Sequence, residues 1–290
     1  IKYFFMIIWL ASYPKSGNTW VRSFLVSLIY KNKFKEFEGL KNIQQYPKRS
    51  HFKNLVKDFD NFEDISKNWI KSQDIINNDN KIKIIKTHHA LCNFKGNFFT
   101  NYKNTLGVIY IVRDPRNVIT SIYNHFSDDN YYNAKNFIID ENAIIGFNKH
   151  SSSDREPYDN EIHTIISSWK THYKSWKLLN KNYLLVKYED LNNNPEKEFL
   201  KISDYIGKFL NKKFDRNDIH KAIKDSSFEI LKLKEEKFGF NEAPKNFKTG
   251  ERIKFFNLGP NNNWKKIKNK KIVEEINVKF ELEMKELGYI

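Results

Sequence analysis

The stretch Trp9-Leu10-Ala11-Ser12-Tyr13-Pro14-Lys15-Ser16-Gly17-Asn18-Thr19-Trp20 decides how the rest of the chain is read. It begins inside an apolar run, Met6–Ser12, short and uncharged enough for a buried parallel strand. A tight turn at Lys15, Ser16 and Gly17 follows. Asn18 and Thr19 then open a helix in which Val21, Phe24, Leu25 and Leu28 recur at helical spacing up to Tyr30. A strand, a tight turn and a helix start bring free backbone N–H groups, the positive end of the helix dipole, hydroxyls and one lysine to a single point. That arrangement is an anion cradle. It is not the GxxxxGK[ST] loop of nucleoside triphosphate enzymes, because the first glycine is missing and Lys15 precedes Gly17.

Outward from the cradle, three further apolar runs read as buried parallel strands: Lys83–Lys86, Val108–Arg113 and Tyr183–Lys187. Helical patterns alternate with them. Val118–Phe126 continues from Asp114-Pro115, where proline suits a first helical position; Ile162–Leu179 is long and aromatic; Glu196–Ile206 follows Asn194-Pro195; Lys270–Leu287 closes the chain. Strands alternating with helices predict an α/β fold with a central parallel sheet flanked by helices. Phe238–Pro260 reads as a long surface loop, and with no linker in view residues 1–290 are expected to form one domain.

Composition narrows the function classes. The 290 residues are 40% hydrophobic and 16% aromatic, enough for a sizeable core. The single cysteine, Cys92, excludes a disulfide framework and any zinc site built from several thiolates. Fifty basic against 35 acidic residues give +15, which favours an anionic partner: nucleic acid, an acidic membrane surface, or a phosphate- or sulfate-bearing small molecule. Codon bias toward Lys, Asn and Ile accounts for the same excess, so charge does not choose among them. No stretch reaches the roughly 18–20 apolar residues of a membrane span. The run Tyr3–Ala11 is too short, and Tyr13-Pro14 stands where a signal peptide would carry small residues. A cytoplasmic protein is expected, with Met6 a candidate start.

Two more segments carry chemistry. In Tyr110-Ile-Val-Arg113-Asp-Pro-Arg-Asn-Val-Ile-Thr-Ser121, a permanently charged guanidinium at a strand end can grip a phosphate and Ser121 can add a hydroxyl. In Lys86-Thr87-His88, an imidazole can take a proton near neutral pH beside a lysine charge. His89 is the competing imidazole; on a continuing strand its side chain would point to the opposite face.

These segments together identify a resemblance. Tyr13–Trp20 resembles the loop that binds the 5′-phosphosulfate of PAPS (3′-phosphoadenosine 5′-phosphosulfate) in cytosolic-type sulfotransferases, in a form closer to bacterial members. The likeness runs in order from Trp9 to Tyr289. It implies a P-loop-like sulfotransferase fold and PAPS as sulfuryl donor, with no metal expected. Lys15, Ser16, Gly17, Asn18 and Thr19 would hold the phosphosulfate, with Lys15 stabilising the leaving phosphate. Arg113 and Ser121 would hold the 3′-phosphate. His88 would be the general base, with Lys86 beside it. Trp20 and Phe228, the latter in Ser226-Ser-Phe, resemble the pair that sandwiches adenine, and Tyr188 resembles the adenosine-contacting tyrosine; Ser226 and Gly259 join the donor site. Trp169, His172 and Trp176 share one helical face and read as structural.

The sequence also departs from the family. The Arg-Lys-Gly that commonly closes over the 3′-phosphate is here Asn257-Leu258-Gly259, before Trp264. Arg252 or Lys254, just upstream, is expected to substitute, Arg252 by its bidentate fork. The animal-type dimer segment has no counterpart in Lys265–Glu275, which leaves the oligomeric state open. The acceptor is a small molecule, a glycan or a lipid bearing a hydroxyl or amine, and Phe126–Tyr158 is the expected loop-rich acceptor mouth. Two rival classes remain: a nucleotide kinase, which should show GxxxxGK[ST], and a basic nucleic-acid-binding protein, for which no recognition module is visible. No nucleic-acid partner is expected.

Overall fold

A computed structural model describes residues 6–31, 34, 36–79, 81–126, 130–146, 162–179, 182–244, 246 and 249–290. β1 (Ile7–Ser12) leads into α1 (Asn18–Tyr30); α2 (Phe62–Lys67) and α3 (Trp69–Ile76) precede β2 (Lys83–Thr87). A short ribbon, β3 (Asn93–Phe94) with β4 (Asn97–Phe98), comes before β5 (Thr105–Val112), α4 (Pro115–Phe126) and α5 (Tyr131–Ile139). A second ribbon pairs β6 (Ile144–Ile145) with β7 (Thr164–Ile165) and is followed by α6 (Trp169–Lys177) and β8 (Tyr183–Lys187). The remainder is helical: α7 (Tyr188–Asn193), α8 (Pro195–Leu210), α9 (Arg216–Asp225), α10 (Phe228–Phe238), α11 (Lys270–Lys279) and α12 (Glu281–Glu286).

The main sheet has the order β2-β1-β5-β8. β1 and β2 run parallel in the register Ile7↔Lys83 through Ala11↔Thr87. Every residue of the two inner strands, β1 and β5, is buried, which is why both read as continuous apolar runs rather than alternating ones. The α/β class and the parallel central sheet expected from the sequence are those of the molecule.

The chain divides into two compact units. The first comprises residues 1–13, 43–110 and 141–185. Its core is aromatic: Trp9 meets Tyr46, Phe99 and Trp176 at 5.6–6.1 Å between ring centroids, and its indole N–H donates to Thr105 Oγ1 at 3.0 Å. The second comprises residues 14–42, 111–140 and 186–290. There Phe24 of α1 stacks on Phe199 of α8 at 4.1 Å, and Leu40, Leu231, Phe240, Ala243 and Phe256 form a separate cluster.

Three expectations about elements change. The helix expected over Ile162–Leu179 starts at Trp169, because Ser167 takes a φ of 59° and the Ser168 hydroxyl caps the new helix by accepting from Thr171 N at 3.2 Å. The closing helix breaks at Phe280, whose φ of −119° separates α11 from α12 while its ring stays buried. Within Phe126–Tyr158, α5 forms on an Asn130 cap, and residues 127–129 and 147–158 lie outside the described residues.

Candidate active site

The cradle belongs to the second unit, together with Arg113, Ser121, Tyr188, Ser226, Phe228 and Gly259; Lys86 and His88 belong to the first. Gly17 is the N-cap of α1 with φ 102°, a left-handed conformation that glycine adopts without strain. A Cβ there would lie 2.6 Å from Tyr188 Cδ2, so the position has room for glycine alone. No side chain caps the helix and no acidic residue occupies its first turn, leaving the positive end of α1 to a ligand. Ser16, Asn18 and Thr19 are all buried. Among the described residues neither the Ser16 hydroxyl nor the Trp20 indole N–H has a hydrogen-bond partner, although both atoms are buried. Orphaned buried donors of this kind are rare unless a ligand or water completes them. The donor set formed by Lys15, Ser16, Gly17, Asn18 and Thr19 itself contains a lysine and no carboxylate, and therefore suits a phosphate or sulfate anion.

Lys15 has a φ of 66°, unusual for a residue with a side chain. Its ammonium donates to His125 Nδ1 at 2.8 Å and lies over the Phe255 ring at 4.4 Å from the centroid. Burial first, then the Lys15 charge, hold the His125 imidazole down to about 2, so this ring is neutral. Arg113, 5% exposed, donates through Nη1 to the Lys15 carbonyl at 3.0 Å and stacks its guanidinium on the Tyr188 ring at 3.9 Å. The sequence separates Lys15, Arg113 and Tyr188 widely; the fold makes them one cluster. Glu189, next to Tyr188, accepts from Asp114 N at 3.0 Å and from the Tyr289 hydroxyl at 3.0 Å, fixing the turn after Arg113; burial pushes its carboxyl upward.

Among the residues expected to take adenosine, Trp20 packs edge-on against Tyr188 and Phe199, at 5.8 and 5.6 Å. Phe228 begins α10, and a Cβ on Gly259 would fall 2.3 Å from its ring, so Gly259 lets the late loop lie against that aromatic face. The loop is tied to α4: Asn262 Nδ2 donates to Asn117 O at 2.8 Å, Trp264 N donates to Asn117 Oδ1 at 2.9 Å, and Trp264 covers Arg116. Ser121 is half-buried on α4. Ser226 is buried and gives its hydroxyl proton to Ala222 O at 2.8 Å at the end of α9. Arg252 and Lys254, one of which is expected to substitute for the missing contact, are exposed and engaged within their surroundings, Arg252 with Phe240 O at 3.1 Å and Lys254 with Glu236 at 3.3 Å.

In the first unit, β2 delivers Lys86 to a buried position beside Leu10, with its backbone held by Gln44 and Tyr46. His88 follows the strand end. Its Nδ1 lies 2.8 Å from the Ser12 carbonyl, which can only accept, so Nδ1 carries the proton and Nε2 carries the lone pair. The Ser12 hydroxyl lies 3.2 Å from the same nitrogen. His172, fully buried, donates from Nε2 to His88 O at 3.0 Å while its Nδ1 accepts from the Tyr110 hydroxyl at 2.8 Å; burial holds it near 4. It thus supports the backbone of His88, in line with its structural reading. His89 is fully buried and stacked on Phe99 at 4.1 Å. His125 and Phe255 escaped the sequence reading. The only signal for either was position: His125 stands one helical turn beyond Ser121.

The sulfotransferase domain family matches residues 7–288 of the chain. The chain is 26% identical over 227 residues to the mouse (Mus musculus) protein sulfotransferase 1 family member D1, a match covering 78% of this chain and 65% of the mouse protein. It is 24% identical over 270 residues to flavonol 3-sulfotransferase of Flaveria bidentis, covering 93% of this chain and 78% of the plant protein. Among solved structures, a mouse sulfotransferase complexed with PAP superposes with a TM-score of 0.55 at 18% identity, over 96% of this chain and 84% of that one, a likeness of fold. No helix among the described residues is long and apolar enough to cross a membrane.

Proposed function

The chain belongs to the sulfotransferase domain family, and from that premise we propose that it transfers a sulfuryl group from PAPS to a hydroxyl of a small acceptor in the cytoplasm. The observation that carries the reading is the cradle, where the uncapped start of α1, the partnerless buried Ser16 hydroxyl, Gly17 and Lys15 converge with no carboxylate among them. PAPS, when bound, supplies an activated sulfuryl group on a phosphate leaving group. Ser16, Gly17, Asn18 and Thr19 hold the phosphosulfate through backbone and hydroxyl donors, and Arg113 with Ser121 holds the 3′-phosphate. Trp20, Tyr188 and Phe228 take the adenosine, with Ser226 and Gly259 shaping that end.

The chemistry then falls to three groups. His88 takes the acceptor's hydroxyl proton on Nε2, the nitrogen that its bond to Ser12 O leaves unprotonated. The acceptor oxygen forms the new S–O bond, and the electrons of the old bridging S–O bond pass to the 5′-phosphate. Lys15 faces the negative charge that builds there, and Lys86 adds positive charge on the sulfuryl side. By analogy with phosphoryl transfer, in-line positioning and electrostatic stabilisation supply most of the rate. The family match across 7–288 supports reading both units as parts of one domain.

Calorimetric titration with 3′,5′-bisphosphoadenosine, followed by transfer of radiolabelled sulfate from PAPS into extracts of the source cells, tests the proposal. Binding and a labelled acceptor are expected. A protein that binds no adenine nucleotide and transfers no label overturns it.

A further inference from the structure

A lysine that stabilises a leaving group needs a partner that fixes its position without cancelling its charge. A carboxylate at hydrogen-bond distance would do the first and defeat the second. One partner of Lys15 is a ring nitrogen: an ammonium can only donate, so at 2.8 Å His125 Nδ1 accepts and the ring's own proton sits on Nε2. The ring is neutral, held so by burial and by the Lys15 charge itself. Phe255 completes the arrangement, its face 4.4 Å from the ammonium and its ring edge-on to His125 at 5.8 Å. Phe255 is itself fixed, since Glu235 accepts its backbone N–H at 2.7 Å and that of Phe256 at 2.8 Å. A lysine held by the Phe255 ring face and by a hydrogen bond to His125 is positioned before any ligand arrives.

We propose that His125 is the positioning residue for Lys15: a neutral acceptor on α4 that aims the ammonium into the cradle and leaves its charge whole. The proposal rests on the sulfuryl-transfer reading for its effect on turnover, but not for the contact itself. The role requires a neutral acceptor of similar reach and tolerates neither an apolar residue nor an acid.

Three variants and one spectroscopic measurement test it. His125→Leu should lower kcat about 10–100-fold, the cost of a misplaced catalytic group, with the KM for PAPS changed less than threefold. His125→Gln, a neutral acceptor, should recover most of that loss. His125→Glu should not recover it, because it supplies an acceptor together with a cancelling charge. In nucleotide-free protein, the 15N resonance of His125 Nδ1 should shift when Lys15 is replaced by Met. Should that resonance stay put, the contact is absent and the proposal fails. Should the Glu variant match the Gln variant in turnover, neutrality is irrelevant and it fails also. A wild type without PAPS-dependent transfer refutes the proposed function instead, and with it the catalytic part of this proposal; the resonance then still decides the contact.

Discussion

Two adjacent histidines carry the same side chain, yet the nitrogens have different work because their neighbours differ. His88 is half-buried and gives its Nδ1 proton to Ser12 O, which keeps the lone pair on Nε2. His89 donates to Ala90 O at 2.6 Å, stacks on Phe99 and meets Trp69 edge-on, and burial holds it down to about 3. His88→Ala should therefore lower transfer by about 10²–10⁴-fold with nucleotide affinity unchanged by calorimetry. His89→Ala should cost stability of about 2–4 kcal/mol in urea unfolding, as large-to-small core changes do, with turnover per folded molecule retained. A folded but inactive His89→Ala, beside an active His88→Ala, would reverse the assignment. Lys15→Ala should lose about 10²–10³ in kcat, the scale of one removed electrostatic contact to developing charge.

At the scale of elements, the cradle was legible because strand, turn and helix start follow one another within a dozen residues. Its supports were not. Arg113 on the Lys15 carbonyl, Tyr188 beneath Gly17 and His125 on Lys15 are contacts across the sequence, and no local pattern announces them. The start of α6 was misplaced for a related reason: Ile162, Ile165 and Ile166 fit helical spacing as well as they fit the ribbon that β7 forms with β6. Gly17→Ala tests the joint between α1 and α7, where both φ and the approach of Tyr188 oppose a Cβ. It should cost about 1–3 kcal/mol in strain alone and abolish nucleotide binding in calorimetry. The late loop makes a different prediction. With Asn257 and Leu258 in place of Arg-Lys, and with Arg252 and Lys254 hydrogen-bonded to Phe240 and Glu236, the proposed site relies on Arg113 for the 3′-phosphate. Preference for 3′,5′-bisphosphoadenosine over AMP should then stay near 10–100-fold, roughly the worth of one charge-assisted contact. Arg113→Ala should erase the preference, and Arg252→Ala and Lys254→Ala should leave it alone. A preference lost in Arg252→Ala would restore the substitution expected from the sequence.

For the molecule as a whole, burial lowers four histidines among the described residues of the first unit, and three of them, His51, His89 and His172, lie deep enough that a proton would bury a charge. Burial lowers His51 to about 4, with the Lys48 charge acting in the same sense. Burial also lowers His172 to about 4 and His89 to about 3; the bonds to the His88 and Ala90 carbonyls oppose this, and the charge of His172 disfavours protonation of His89. An unfolded chain protonates each of them near 6.5. Between those values the unfolded state binds more protons than the native one, so stability is complete above about pH 6.5 and falls as the pH drops. Each fully titrating histidine contributes about 1.4 kcal/mol per pH unit, and three together about 4. Set against a typical domain stability of about 5–15 kcal/mol, that slope should exhaust the stability of the fold between about pH 5 and 4. Urea midpoints measured from pH 7.5 to 4.5 should be flat above 6.5 and fall steeply below it. His89→Phe, which keeps a ring against Phe99 and removes one titrating group, should flatten the acid limb by about a third. A midpoint that holds constant down to pH 5, or an acid limb unaltered in His89→Phe, would mean that these imidazoles take up protons in the native state without cost, against the burial and aromatic stacking that surround them.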